Sequence, residues 1–169
     1  MIDPPFAKPD VTFTTMDGEP FSLQEKTQGR LTFLYFGYTN CPDQCPIWLN
    51  TMARARERVK GPGSNPMVLF VGVDVKRDTP AQLRGYLGAI DSSFIGLTGS
   101  EHTIAAANDA LKFPPIEIQT MANGDTMVGH YGKAAAFTPD NTCHRLYGFD
   151  TRVTQLAADL PRLARDEYR

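Results

Sequence analysis

Two short, almost uninterrupted apolar runs are the sequence feature that most constrains how this chain can fold. They span residues 31–36 and 67–73, and each is long enough for one strand. Strands that are apolar along their whole length are typical of a sheet covered on both faces. Residues 48–60 between them repeat apolar side chains at helical spacing, so the three segments predict a right-handed βαβ unit. The carboxyl ends of its two strands should meet at one sheet edge, where ligand sites collect.

Turn-forming and capping residues predict the elements that surround this unit. Asp17-Gly18 divides residues 11–23 into a β-hairpin, and Asn123-Gly124 marks a hairpin or loop over residues 116–132. The remaining predictions are helices over 79–89, 100–112 and 151–165 and strands over 94–98, 133–137 and 143–148. Pro161 is expected to kink or restart the last of these helices, because proline lacks the N–H that an interior helix position needs.

Length and composition limit the domain count and the classes of partner. With 169 residues, 41% of them hydrophobic, we expect an extended lead-in over residues 1–10 and a single domain over 11–169. The net charge of −2 offers no dense basic surface for nucleic acid. The longest apolar stretch, residues 31–38, is far shorter than the roughly 20 residues that span a bilayer. Residues 1–10 also lack the basic start and apolar core of a signal peptide.

Cys41 and Cys45 lie in the sequence TNCPDQCP, directly after the first apolar run. On a helix, residues four apart face the same side, with Cβ atoms about 5–6 Å apart. That separation suits a disulfide or the binding of one soft metal ion, and a buried inert pair is a third alternative. Pro42 and Pro46 bracket a helix start, where unpaired N–H groups and the helix dipole are expected to lower the pKa of both thiols.

The third cysteine and the three histidines are the other potential soft ligands. Three cysteines cannot all pair within one chain, and Cys143 is the odd one. Cys143 and His144 are neighbours on a predicted strand, so their side chains point to opposite faces and cannot close on one ion. His102 falls in the first turn of a predicted helix, which favours a solvent-exposed side chain. His130 lies in a loop just before a predicted strand, a position where an isolated histidine is usually a surface residue.

The run FGYTNCPDQCP at residues 36–46 resembles the copper-site signature of the Sco/SenC family. Residues 71–87 and 94–100 also resemble this family, in the expected order, and the resemblance extends over residues 11–164. It implies an α/β, thioredoxin-like fold with a central mixed sheet flanked by helices. The N-terminal β-hairpin and an inserted hairpin before the segment that carries His130 complete the expected architecture.

The resemblance implies that Cys41, Cys45 and His130 together bind one copper ion. In the family, the ligand histidine precedes a strand by a short interval and a proline closes that strand. The sequence GHYGKAAAFTP at residues 129–139 reproduces this arrangement around His130. Thiolates select Cu(I), and an added imidazole gives a three-coordinate site that Cu(II) can also occupy with a further ligand.

Two residues depart from the family pattern around His130. Gly129 stands where the family usually has an acidic residue, and Thr138 stands where an aspartate usually precedes the closing Pro139. A carboxylate next to a ligand histidine orients the imidazole and raises metal affinity. The departure therefore affects ring orientation and affinity rather than the identity of the ligand.

The resemblance also implies a function, partners and a location. The expected function is that of a metallochaperone which delivers copper to the CuA centre of cytochrome c oxidase. Its expected partners are the CuA subunit and other copper-delivery proteins, and we expect the protein itself to be a monomer. Sco-like proteins are commonly tethered to a membrane outside the cytoplasm, in the periplasm or at the outer face of the plasma membrane. This chain would then be the soluble domain, with Met1 as an added start residue.

A thiol-disulfide oxidoreductase that keeps the cysteines of a copper acceptor reduced is the alternative function. Cys41 and Cys45 would then be the redox pair. Their three-residue separation and the lack of a proline directly before the predicted strand at 133–137 both weaken this alternative, because thioredoxins have CxxC and a cis-proline there. A peroxiredoxin-like activity is disfavoured as well, since it needs one dominant cysteine beside an arginine. We therefore expect a carrier rather than an enzyme.

Other residues near the predicted site are weaker candidates. Asp74 should emerge beside the cysteine turn at the shared sheet edge, whereas Asp78 is as readily a turn residue. Met121 and Met127 could offer thioethers to Cu(I), although methionine is more often a core-filling residue. Three aromatic residues are interpreted as core rather than as partner contacts: Tyr38, Trp48 and Tyr131.

Overall fold

The computed structural model of the chain describes residues 1–42, 44–129 and 131–168. Within these ranges the strands are β1 (Phe6–Ala7), β2 (Thr12–Thr15), β3 (Pro20–Ser22), β4 (Thr32–Gly37), β5 (Met67–Gly72), β6 (Ile95–Thr98), β7 (Glu117–Thr120), β8 (Thr126–Gly129), β9 (Lys133–Phe137) and β10 (Thr142–Gly148). The helices are α1 (Leu23–Lys26), α2 (Gln44–Glu57), α3 (Pro80–Gly88), α4 (Glu101–Ala110) and α5 (Val153–Leu163). None of these helices is long and apolar enough to cross a membrane.

The predicted βαβ unit forms the centre of the main sheet. Strands β4 and β5 are parallel, with Thr32 opposite Met67 and Gly37 opposite Gly72, and α2 connects them. Every residue of both strands is buried, which agrees with their uninterrupted apolar sequences. The segment that carries Cys41 and Cys45 therefore follows directly after the carboxyl end of β4.

The main sheet has the strand order β1-β10-β9-β4-β5-β6-β2-β3 in the part of the chain that the structure describes. Strand β6 is parallel to β5, whereas β9 is antiparallel to β4 and β10 is antiparallel to β9. The predicted N-terminal hairpin of β2 and β3 joins the sheet through β6. The predicted inserted hairpin is present as a separate two-stranded sheet of β7 and β8. This mixed sheet with flanking helices is the predicted thioredoxin-like fold.

Two predicted helix starts are confirmed by their capping hydrogen bonds. The Thr79 hydroxyl accepts a hydrogen bond from the backbone N–H of Gln82, and Pro80 is the first residue of α3. The Ser100 hydroxyl accepts one from the backbone N–H of Thr103 in α4. These acceptors satisfy N–H groups that have no partner within the helix, which explains why the starts could be read from sequence.

The structure differs from the sequence prediction in short or proline-containing elements. Strand β1 lies in the extended lead-in and pairs with β10, with Phe6 opposite Cys143. Helix α1 is a single turn that the periodicity did not predict. Helix α5 continues through Pro161 without a restart, and the backbone N–H of Ala164 still bonds to the carbonyl of Leu160. Elements of two to four residues are too short to show a repeating apolar pattern.

Candidate metal centre

The two neighbouring cysteines lie at the junction of β4 and α2. Helix α2 begins at Gln44, so Cys45 occupies its first turn, whereas Cys41 precedes it in the connecting loop. The expectation that both cysteines share a helix face is therefore wrong, because only one of them is helical. They are nevertheless adjacent, since a hydrogen bond joins their two thiols. Both side chains are buried, with exposed fractions of 8% for Cys41 and 0% for Cys45.

Aromatic side chains pack on the protein side of Cys45. The hydroxyl of Tyr35, on β4, lies close to the Cys45 thiol, and the backbone of Tyr38 also interacts with this thiol. The Tyr35 ring stacks on Trp48 of α2, with ring centroids 5.0 Å apart and planes within 8°. Trp48 is fully buried, as its interpretation as a core residue predicted. This packing fixes the position of Cys45 before any ligand binds.

Burial changes the ionisation of Cys45 in the opposite direction from the sequence expectation. The hydrogen bond with Cys41 and the loss of hydration together raise the pKa of the Cys45 thiol above its ordinary value. A helix start alone favours the thiolate, but an uncompensated buried anion costs more than the dipole provides. Without a cation in the site, Cys45 therefore remains protonated at neutral pH.

Tyr38 connects the cysteine loop to the inserted hairpin. Its hydroxyl hydrogen-bonds to the Cys41 thiol and to the backbone of Val128 in β8, and burial raises the pKa of this hydroxyl. Both Tyr38 and Val128 are buried, at 6% and 4% exposed. The hairpin is thus held against the cysteine loop by one aromatic side chain. Tyr38 belongs to the core and also contacts the site, so the two interpretations are compatible.

The predicted third ligand, His130, lies outside the residues that the structure describes. Its chain neighbours are described on both sides. Gly129 ends β8, and the ring of Tyr131 packs against Phe113 with centroids 4.7 Å apart. Phe113 in turn contacts Phe36 of β4 edge to face, at 6.2 Å. The segments before and after position 130 are therefore both packed toward the end of β4 that leads to Cys41.

The other candidate ligands lie in other elements, and two of them have partners of their own. His102 is exposed in the first turn of α4, as predicted, and the His144 ring stacks on Tyr168 at a centroid distance of 3.7 Å. Cys143 is fully buried, and its thiol donates to the backbone carbonyl of Arg145 at 3.2 Å. Among the described residues, no cluster of three or more His, Cys, Asp or Glu side chains could hold a metal ion.

Asp78, rather than Asp74, anchors the cysteine loop at the sheet edge. Its carboxylate accepts hydrogen bonds from the backbone N–H and the hydroxyl of Thr39, two residues before Cys41. Its second oxygen accepts from the backbone N–H of Asp74 at 3.1 Å. The Asp74 carboxylate is buried, and its nearest cation is the Nε of Arg77 at 3.9 Å.

Sequence reasoning underrated Asp78 because the Asp-Thr-Pro sequence also suits a plain turn before a helix. Gly72 was the one sequence feature that could have indicated the buried position of Asp78. A Cβ atom at Gly72 would lie 2.6 Å from the Cβ of Asp78, so the glycine leaves room for this side chain. Burial raises the pKa of Asp78 despite the hydrogen bonds that it accepts.

The fold and the site together define a thioredoxin-like protein with a CxxxC thiol pair at the start of its first long helix. The model of the SCO1/SenC family matches residues 3–165, and the chain belongs to that family. A relative from Stutzerimonas stutzeri, whose name describes copper binding, is 32% identical over 162 residues, which are 95% of this chain and 78% of the relative. An SCO2-like protein of Rickettsia conorii is 39% identical over 103 residues, or 61% of this chain and 50% of the relative. The chain thus spans only about half the length of the Rickettsia relatives.

Solved structures show the same fold over almost the whole chain. The copper-bound ScoI of Arabidopsis thaliana has a TM-score of 0.82 at 28% identity, covering 96% of this chain and 97% of that one. The copper-bound ScoI of Bradyrhizobium japonicum has a TM-score of 0.79 at 26% identity, covering 94% and 97%. BsSco, described as a member of the Sco family of cytochrome c oxidase assembly proteins with a disulfide switch, shares the fold at 23% identity, with a TM-score of 0.71 and coverage of 96% and 95%.

Proposed function

We propose that this chain is a copper carrier which binds one copper ion through Cys41, Cys45 and His130 and delivers it to the CuA centre of cytochrome c oxidase. The observation that carries this proposal is the pair of hydrogen-bonded, buried thiols at the carboxyl end of β4. Copper as the cargo is supported by the copper-bound structures of related ScoI proteins and by the copper-binding relative from Stutzerimonas stutzeri.

The donor set and its surroundings fit copper. Two adjacent thiols provide soft ligands of the type that selects Cu(I). Their surroundings disfavour hydrated, hard cations, because both thiols are buried next to Tyr35 and Tyr38, and Tyr35 stacks on Trp48. Copper supplies the positive charge that makes two buried thiolates favourable. Because the pKa of Cys45 is raised in the metal-free protein, loading must release its proton to solvent.

His130 as the third ligand is supported by the positions of its chain neighbours. Val128 is hydrogen-bonded to Tyr38, which also bonds to Cys41, and Tyr131 is packed through Phe113 toward β4. Both neighbours of position 130 are thus linked to residues at or next to the cysteine loop. A neutral imidazole then completes a three-coordinate site for Cu(I).

Delivery to cytochrome c oxidase extends the proposal from the site to the partner. The description of the Sco family as cytochrome c oxidase assembly proteins supports it. We infer that the CuA subunit and other copper-delivery proteins are the partners, and that the domain acts as a monomer. The proposed location is outside the cytoplasm, with the protein tethered to a membrane.

Titration with Cu(I) in competition with a chromophoric chelator tests the ligand set. The wild-type protein should bind one equivalent, Cys45→Ser should lose this binding, and His130→Ala should weaken it. His102→Ala is the matched control, because His102 is an exposed histidine on α4 and should leave the affinity unchanged. The three-ligand site is contradicted if His130→Ala binds Cu(I) as tightly as the wild-type protein does.

A thiol-disulfide oxidoreductase is the second candidate function, and the contact between the two thiols favours it. Thiols within hydrogen-bonding distance need little movement to form a disulfide. In that case, exchange with a dithiol reporter protein should depend on Cys41 and Cys45 and be unaffected by His130→Ala. A His130→Ala variant that reduces the reporter normally and keeps full copper affinity would favour the oxidoreductase over the carrier.

A further inference from the structure

Two methionines are exposed on the inserted hairpin of β7 and β8. Met121 is 44% exposed and Met127 is 52% exposed. Methionine is usually buried, and Met52 of α2, at 0% exposed, shows the usual behaviour in this chain. The hairpin is short, with two strands of four residues each. Core packing does not explain why it carries two exposed methionine side chains.

The register of the hairpin places both methionines on the same face. Gln119 is opposite Met127, and the backbone N–H of Met121 bonds to the carbonyl of Asp125, which continues the ladder by one step. Side chains two residues apart on a strand share a face, so Met121 lies on the face of Gln119 and hence of Met127. The two methionines are then diagonal cross-strand neighbours, with Cα atoms roughly 7–8 Å apart. Long, flexible thioethers can bring their sulfur atoms together across that distance.

The opposite face of the hairpin carries Val128, which is 4% exposed, and Ile118, which is 46% exposed, so this face is packed at Val128, next to the cysteine loop. Ile118 and Val128 pair on that face, and the backbone of Val128 bonds to the Tyr38 hydroxyl beside Cys41. Met127 directly precedes Val128 and therefore points away from the loop, toward solvent. The hairpin thus carries sulfur ligands on its outer side while its inner side contacts the proposed copper site.

We propose that Met121 and Met127 form a second binding site, for a soft monovalent cation such as Cu(I), on the outer face of the hairpin. Thioethers are neutral, soft ligands that bind Cu(I) without losing a proton. Binding at this site therefore does not require deprotonation of a ligand. Binding at the cysteine pair does, because its thiols must be deprotonated. Resting on the proposed copper-carrier function, this site serves as the weaker first contact for the ion. The transfer is a ligand exchange without redox change, in which thiolates replace thioethers and the thiol protons pass to solvent.

Silver ion is the probe, because it is a soft monovalent cation that does not change oxidation state. The experiment uses the full chain carrying Cys41→Ser and Cys45→Ser, with methyl-labelled methionine observed by NMR. The methyl signals of Met121 and Met127 should shift together and saturate at one equivalent. Met52 reports on global unfolding, and Met1, a single thioether that is 72% exposed, reports on non-specific binding.

Met121→Leu tests whether the two thioethers act together. The silver concentration that half-saturates the Met127 shift should rise by at least about tenfold. In the wild-type hairpin the second thioether binds the same ion intramolecularly, and this variant removes it. The proposal is overturned if Met127 shifts equally in this variant, if Met1 shifts at the same concentrations, or if neither hairpin methionine shifts.

A second arm separates this proposal from the copper-carrier function. In the protein with both cysteines, Met121→Leu with Met127→Leu should slow loading from a chelated Cu(I) donor while the final stoichiometry stays at that of wild type. An unchanged loading rate would contradict the role of the hairpin site as first contact. If Cys41 and Cys45 of the wild-type protein do not bind Cu(I), the carrier function is refuted. The silver experiment would still decide whether the methionine site exists.

Discussion

The Asp78 carboxylate accepts two hydrogen bonds from Thr39, one from the backbone N–H at 2.9 Å and one from the hydroxyl at 2.7 Å. Asp78 is 1% exposed and precedes α3, whereas Thr39 lies in the loop that leads to Cys41. A residue 39 positions away in sequence thus fixes the loop that presents the first proposed copper ligand. Hydrogen bonds to a buried carboxylate are among the stronger ones in proteins.

Asp78→Asn should destabilise the protein and weaken copper binding. The amide keeps the size of the side chain but has one acceptor oxygen and no charge, so it cannot satisfy both Thr39 and the backbone of Asp74. We expect the free energy of unfolding to fall by roughly 1.5–3 kcal/mol, measured by urea denaturation. Asp74→Asn is the matched control and should cost less than about 1 kcal/mol, because its nearest partner, Arg77, is 3.9 Å away and 42% exposed. Equal losses in the two variants would contradict the anchoring role of Asp78.

The sequence predicted the elements that repeat a pattern and missed contacts made by single distant residues. The βαβ unit was readable because two fully buried strands leave continuous apolar runs. The start of α2 at Gln44 falls between Pro42 and Pro46, as these prolines predicted, although the apolar repeat begins only at Trp48 because Pro46 in the first turn leaves no periodic trace. The contacts of Tyr38 with Val128 and of Asp78 with Thr39 depend on tertiary packing, so no local pattern could predict them.

Cys143 is expected to be chemically inert in the folded protein. It is fully buried, and burial raises the pKa of its thiol to about 12, so almost no reactive thiolate is present near neutral pH. Iodoacetamide at pH 8 should leave Cys143 unmodified in the native protein and modify all three cysteines after unfolding, as read by peptide mass spectrometry. Cys143→Ala should keep the copper stoichiometry of wild type. Alkylation of native Cys143 at the rate of Cys41 would show that the thiol is accessible.

Lys8 is a buried cation whose ionisation should make stability depend on alkaline pH. Its ammonium donates to Thr27 Oγ1 at 2.7 Å and to Asn141 Oδ1 at 2.8 Å. Burial lowers the pKa of Lys8 to about 8, and the charge of Asp140 opposes this shift only in part. Between that value and the ordinary pKa near 10.5, the unfolded chain binds more protons at Lys8 than the folded chain does. Burying this charge therefore lowers the free energy of unfolding by its full amount below about pH 8. This loss becomes smaller as the pH rises.

Comparison of the wild-type protein with Lys8→Met isolates this effect, because the cysteines and tyrosines titrate in both proteins. The wild-type free energy of unfolding should increase relative to that of Lys8→Met between pH 8 and 10, by up to about 1.4 kcal/mol per pH unit. Urea denaturation at half-unit pH steps measures the difference. A difference that stays constant or decreases over this range would show that burial does not lower the pKa of Lys8 in the folded protein.

Gly37 leaves the space that Cys45 occupies. A Cβ atom at this position would lie 2.9 Å from the Cys45 sulfur and 2.7 Å from Cε2 of Phe70, which are closer than real contacts allow. Gly37→Ala should therefore displace the sulfur, lower the free energy of unfolding by roughly 1–3 kcal/mol and weaken Cu(I) binding in the competition titration. Gly85→Ala is the matched control, since it lies in α3 with no atom within 4 Å of an added Cβ. That control should stabilise the protein by about 0.5–1 kcal/mol and leave copper affinity unchanged. If Gly37→Ala instead binds Cu(I) with wild-type affinity, the exact position of the Cys45 sulfur is not what sets the strength of the site.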